Sequence, residues 1–132
     1  MAKSDLPKPT EGELEILKVL WERGPSTVRD VFEALTQIRP TGYTTVLKLL
    51  QIMTEKGLVL RDEEQRAHVY HPRVPQEQTQ RQFLGDILDR VFDGSPSQLV
   101  MQALSSKRTS PAELAKIREM LDEIEKGVNR DA

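Results

Sequence analysis

The chain has 132 residues, enough for one ordinary domain or two small ones, and each of two small ones would bury little core by itself. At 37% hydrophobic and 30% charged, without a long apolar run and with an opening MAKSDLPKPTEG unlike a signal peptide, it reads as a soluble, cytoplasmic protein with no membrane span. The absence of cysteine excludes disulfides, thiolate metal sites and cysteine nucleophiles, and a formal charge of −2 excludes a uniformly basic nucleic-acid binder.

The charge is unevenly spread. Residues 1–35 carry five Lys/Arg against seven Asp/Glu, and residues 74–132 carry eight against ten. Residues 36–73 carry six against four and hold both histidines, so a phosphate-binding surface is expected in that middle third.

In chain order, residues 1–9 read as a flexible arm, given Pro7, Pro9 and mixed charge. Thr10 and Glu13 form a capping-box pattern, and Leu14, Leu17, Leu20 and Trp21 recur at helical spacing until Gly24 and Pro25. A first helix over about 11–22 follows. Ser26 or Thr27 can cap a second helix, whose apolar set is Val28, Val31, Phe32 and Leu35, ending before Arg39-Pro40. Thr41-Gly42 opens a third, with Val46, Leu49, Leu50 and Met53 in one stripe and Gly57 as its C-cap. Residues 58–61 and 67–71 read as two strands around the polar tip Asp62-Glu63-Glu64-Gln65-Arg66. Three helices followed by a hairpin is the order of a winged helix-turn-helix.

After Pro72 and Pro75 only helices are expected. The first covers 76–92 with Phe83, Leu84, Ile87, Leu88, Val91 and Phe92, and a short one over 96–105 carries Leu99 and Val100. The last opens at Ser110-Pro111 with Glu113 completing a capping box, and its Leu114, Ile117, Leu121, Ile124 and Val128 alternate spacings of 3 and 4, a short heptad seam. The expected fold is mainly α with a small β-hairpin wing: a winged-helix DNA-binding head over 10–74 and a three-helix dimerisation domain over 75–132.

At 100° per residue, Thr44, Lys48, Gln51 and Glu55 fall opposite the apolar stripe of the third helix. Thr44, Thr45, Lys48 and Gln51 suit base edges and phosphates: threonine for phosphate or the thymine methyl, lysine for phosphate or guanine, glutamine for adenine. The same residues also describe an ordinary solvated face, and only the helix-turn-helix context favours DNA. On the hairpin, Arg61, Arg66 and His68 can meet the backbone or minor groove, with Arg66 the preferred wing contact, while Glu63 and Glu64 also fit a tip that simply faces water.

His68 and His71, three apart on a strand, point to opposite faces and cannot chelate together, so no metal site is expected. No nucleophile has a base partner and no glycine-rich phosphate loop is present, so neither an enzyme nor a cofactor is expected. The helix over 76–92 carries six large apolar groups that two short companion helices cover only partly, which points to a second copy of the chain in place of a self-contained cap, with Phe83, Leu84, Ile87, Leu88, Val91, Leu99, Leu114, Ile117, Leu121 and Ile124 as the expected dimer contacts. Acidic polar faces argue against a membrane-surface helix. The function expected is a sequence-specific repressor binding palindromic double-stranded DNA as a homodimer. The alternative is a winged-helix protein-interaction module without DNA binding.

Three blocks carry a family resemblance: TEGELEILKVLWERGPSTVRDVFEAL, GYTTVLKLLQIMTEKGLVLRDEEQRAHVYHP and SPSQLVMQALSSKRTSPAELAKIREMLDEIEK. In their order and spacing, over about residues 9–127, they resemble the penicillinase-repressor family, also called BlaI/MecI/CopY. The middle block is the most specific, with its TTV helix start, lysine-glycine helix end and aromatic second wing strand. The resemblance implies a homodimer whose winged-helix heads repress genes for antibiotic resistance or metal homeostasis. By position it makes Thr44, Thr45, Lys48 and Gln51 recognition-helix contacts, Arg66 and His68 wing contacts, and the final helices an intertwined dimerisation domain. Two departures limit it. Copper-responsive members carry a cysteine motif, and this chain has no cysteine. The family also implies a co-encoded membrane sensor protease that cuts an Asn-Phe bond, but Gln102-Ala103 stands at that place here.

Overall fold

The computed structural model describes residues 7–106 and 108–131, with side chains as far as Val128; residues 1–6 of the expected arm lie outside the described residues. The elements are α1 (Glu11–Arg23), β1 (Ser26–Thr27), α2 (Val28–Thr36), α3 (Tyr43–Lys56), β2 (Val59–Asp62), β3 (Val69–Pro72), α4 (Gln76–Arg90), α5 (Pro96–Leu104) and α6 (Pro111–Asp131). They form two compact units, one through Leu84 and the other from Gly85, so the division falls inside α4.

In the head unit α1 and α2 start where a side chain can satisfy the first backbone donors. Thr10 accepts the Glu13 N–H while the Glu13 carboxylate accepts the Thr10 N–H, a reciprocal box that Thr27 and Asp30 repeat at α2. Helix α3 has Gly42 as N-cap with no side-chain hydrogen bond, and ends on Gly57. Gly57 takes the left-handed conformation, φ 85° and ψ 16°, letting the Leu58 N–H reach the Met53 carbonyl at 2.9 Å. That turn aims the chain directly into β2.

Strand β1, absent from the expected elements, completes a three-stranded antiparallel sheet in the order β1-β3-β2. Ser26 lies opposite Tyr70 and Thr27 opposite Val69, while Val59, Leu60, Arg61 and Asp62 pair with Pro72, His71, Tyr70 and Val69. Pro72 is tolerated in the middle strand because β1 does not extend as far as its missing N–H. Strand β2 lies one residue later than the hydrophobic pattern placed it, and β3 starts two residues later and ends one later.

The head core gathers Ile16, Leu17 and Leu20 from α1, Val31 and Leu35 from α2, Val46, Leu50 and Met53 from α3, with Leu58, Val59 and Tyr70 from the hairpin. Each such side chain contributes roughly 1.5–3 kcal/mol by leaving water. The core reaches beyond the sheet: Val74 and Thr79 are buried, Pro9 is buried, and the Trp21 indole N–H donates to the Val74 carbonyl at 2.9 Å. These contacts hold the linker and the start of α4 against the head.

The second unit contains the end of α4, then α5 and α6. Asp93 and Gly94, at φ 51° and 77°, make a left-handed turn after α4, and the Gly94 N–H closes on the Leu88 carbonyl at 2.8 Å. Ser95 caps α5, with Pro96 at its first position, and the Ser110 hydroxyl accepts the Glu113 N–H at 3.1 Å to start α6. None of residues 85–128 whose burial is described is buried. A unit of helices without an enclosed core leaves much of its apolar side-chain surface uncovered.

Candidate nucleic-acid interface

The site is built on α3. Val46, Leu50 and Met53 are fully buried and fix which side of the helix faces the core, so Thr44, Thr45, Lys48 and Gln51 are turned outward, and all four are exposed. Leu49, expected in the buried stripe, packs against the core while staying half-buried. The exposed face is polar, carries the Lys48 charge, and is the width of one helix, the shape that a major groove admits.

Electrostatics separates the cations of the middle third into two sets. Arg39 is tied to the Glu15 carboxylate, Lys56 to Glu13, and Arg61 to Glu63 at 2.7–2.8 Å. The Glu63 hydrogen bond, and after it the Tyr70 hydroxyl, raise the Arg61 guanidinium pKa above its usual value. Lys48, Arg66 and Arg73 have no ion-pair partner among the described residues, and all are exposed. Arg66 and His68 lie on the exposed turn between β2 and β3. The candidate interface would present a helix face with Lys48 and a wing tip with Arg66, while Arg61 is occupied by its neighbour.

Two features of α3 gave no signal by spacing. Tyr43, partly exposed at its first position, is braced edge-on by Phe32 of α2, ring centroids 5.5 Å apart at 70°. Lys56, its last residue, holds both oxygens of Glu13 at 2.9 and 3.0 Å. Burial pushes the Glu13 carboxyl up, but the Thr10 N–H and the Lys56 ammonium outweigh it and hold the group below the usual carboxylate range.

The residues expected at a dimer contact divide between the units. Phe83 is half-buried in the head, with the Lys8 ammonium 5.0 Å from its ring centroid, and Leu84 beside it is exposed. In the second unit Ile87, Val91, Leu121 and Ile124 are exposed, and Leu88, Leu99, Leu114 and Ile117 are half-buried. Gln102 and Ala103 are exposed on α5. Among the described residues no group of His, Asp and Glu is gathered to hold a metal ion, and no helix is long and apolar enough to cross a membrane.

A helix-turn-helix with a hairpin wing and an outward polar third helix defines the winged-helix class of regulators. Known proteins place the chain more closely. The family model described as penicillinase repressor matches residues 9–123. The transcriptional regulator BlaI of Mycobacterium tuberculosis is 34% identical over 119 residues, covering 88% of this chain and 86% of that protein. The penicillinase repressor of Bacillus licheniformis is 23% identical over 118 residues, covering 89% and 92%. Among solved structures, the DNA-binding domain of the repressor BlaI matches with a TM-score of 0.50 at 25% identity, covering 55% of this chain and 89% of that one. The chain belongs to the penicillinase-repressor family, a family of transcriptional repressors and not of enzymes.

Proposed function

We propose that this protein represses transcription in the cytoplasm by binding a palindromic operator as a homodimer, one head to each half-site, and that an inducing signal releases it. The observation that carries the reading is the outward face of α3: Thr44, Thr45, Lys48 and Gln51 exposed opposite a fully buried stripe, in a fold shared with a repressor's DNA-binding domain. Lys48 supplies phosphate or guanine contact, Gln51 a bidentate pairing with adenine, the threonines phosphate or methyl contacts, and Arg66 with His68 the wing's backbone contacts. One head offers few free cations, and a two-fold dimer doubles them.

The second copy is supported by the second unit's unused apolar surface. Ile87, Val91, Met120, Leu121, Ile124 and Val128 are each at least 44% exposed in a single chain. Side chains of this size at heptad spacing bury themselves against a like helix. Repression then follows by occupancy of a promoter, and loss of the dimer loses affinity because one head makes too few contacts.

The test is binding of the purified chain to the DNA upstream of its own gene, with random duplex as competitor, at two salt concentrations. Salt-sensitive binding that survives the competitor and protects a palindrome is expected. Binding that random DNA abolishes at equal concentration, at the upstream region and in a genome-wide DNA selection alike, would overturn the reading.

A further inference from the structure

Among the described residues Glu13 is the one charged side chain that is buried, at 2% exposure, and its partner is the last residue of α3. Its carboxylate takes three hydrogen bonds, from the Thr10 N–H at 2.9 Å and from the Lys56 ammonium at 2.9 and 3.0 Å. The pair thus links the first turn of α1 to the C-terminal end of α3, 43 residues away in sequence. At the other end of α3, Tyr43 leans on Phe32 of α2.

Stability alone is a poor reason for such a pair. Burying the Glu13 carboxylate costs desolvation that offsets part of its attraction to Lys56, whose side chain is 38% exposed, and apolar replacements of such pairs are often close to neutral. What a pair supplies and an apolar contact does not is direction. The Val46, Leu50 and Met53 stripe decides which face of α3 is inside, but flexible side chains such as Leu and Met accommodate small slides and rotations of a helix. An ammonium held by two carboxylate oxygens, themselves fixed by a capping hydrogen bond, allows far less. Reading base edges requires side chains held within about 0.5 Å and 10–20° of their productive placement.

We propose that Glu13 is a positioning residue for base readout: acting through Lys56, it sets the axial register and tilt of α3 on α1, and with them where Thr44, Lys48 and Gln51 meet the bases. The inference rests on the DNA-binding reading above. Glu13 touches no DNA, and its effect falls on discrimination between sequences, not on general attraction to phosphate.

The decisive variant is Glu13→Leu combined with Lys56→Met, which removes one charge of each sign and leaves the net charge unchanged. The hydrogen bond from the residue-13 N–H to the Thr10 hydroxyl survives, because it uses backbone. Full-length wild type and variant are compared by thermal melting and by anisotropy titration against the protein's operator and a random duplex. The expected result is a cooperative melt, unchanged affinity and salt dependence on random DNA, and a preference for operator lowered about tenfold or more, the cost of one displaced base contact. Wild-type preference in a folded double variant overturns the proposal. Glu13→Asp, which keeps the charge and shortens the reach by one methylene, is the second arm: lost preference there supports positioning, and intact preference overturns it even if the double variant does not fold. Wild-type protein that prefers no DNA would instead overturn the repressor reading, visible before any variant is measured.

Discussion

Lys48 offers the most quantitative test of the interface. Of the cations that no carboxylate among the described residues neutralises, two per head belong to the proposed DNA contacts, Lys48 on α3 and Arg66 on the wing. A dimer laying both heads on DNA would neutralise about four phosphates with them, and each neutralised phosphate contributes about −0.9 to the slope of log K against log salt. The slope expected for wild type is about −3.6, an affinity loss of about 150-fold between roughly 50 and 200 mM salt. Lys48→Ala leaves two such cations per dimer, a slope of about −1.8 and a loss of about twelvefold over the same range. Fluorescence anisotropy on a labelled operator measures both. Arg39→Ala is the internal control, because its guanidinium is already committed to Glu15 and its removal leaves the slope unchanged. A Lys48→Ala slope equal to wild type would refute the placement of this side chain at the DNA.

Three further outcomes follow from individual residues. Gly57→Ala meets no neighbouring atom but must adopt φ 85°, so thermal melting should show the head destabilised by about 1–2 kcal/mol, and an unchanged melt would contradict the left-handed cap. The Thr10 N–H and the Lys56 ammonium hold the Glu13 carboxyl below the usual carboxylate range, so its contribution to stability is present above that range and is lost as pH falls through the folded value. Denaturant melts across acid pH should therefore fall less steeply for Glu13→Gln than for wild type, and parallel curves would count against the pair. Leu121→Asp with Ile124→Asp places two charges on the exposed seam of α6. Sedimentation should then report a monomer whose head still melts cooperatively, whereas an unaltered dimer would move the contact elsewhere.

What the sequence made legible was what short-range chemistry decides. Caps at Thr10, Thr27 and Ser110, and the stop at Gly57, located these helix ends within a residue or two, because a start needs an acceptor and a stop needs a left-handed turn. The outward face of α3 was legible too, since helical periodicity with a buried stripe leaves no choice about the opposite side. Strand β1 was not: Ser26 and Thr27 read as a helix cap, and only the arrival of Tyr70 and Val69 makes them a strand. The Glu13–Lys56 pair was hidden for the same reason, since each residue already had a sufficient local explanation, one in a capping box and the other in a helix end. The head's hold on Val74 includes a hydrogen bond from the Trp21 indole, which spacing had assigned only to an apolar stripe.

Dimerisation as proposed would tie the folding of the open second unit to abundance. On the dimer reading, residues beyond Leu84 complete their core by mass action, so newly made chains at low copy number would leave Ile124 and Val128 uncovered and open to cellular proteases, while chains above the association threshold would be protected. Such a regulator discards its own dilute surplus. Its working concentration then has a floor set by the strength of one helical contact, and any event that weakens that contact shortens the protein's life as well as emptying its operator.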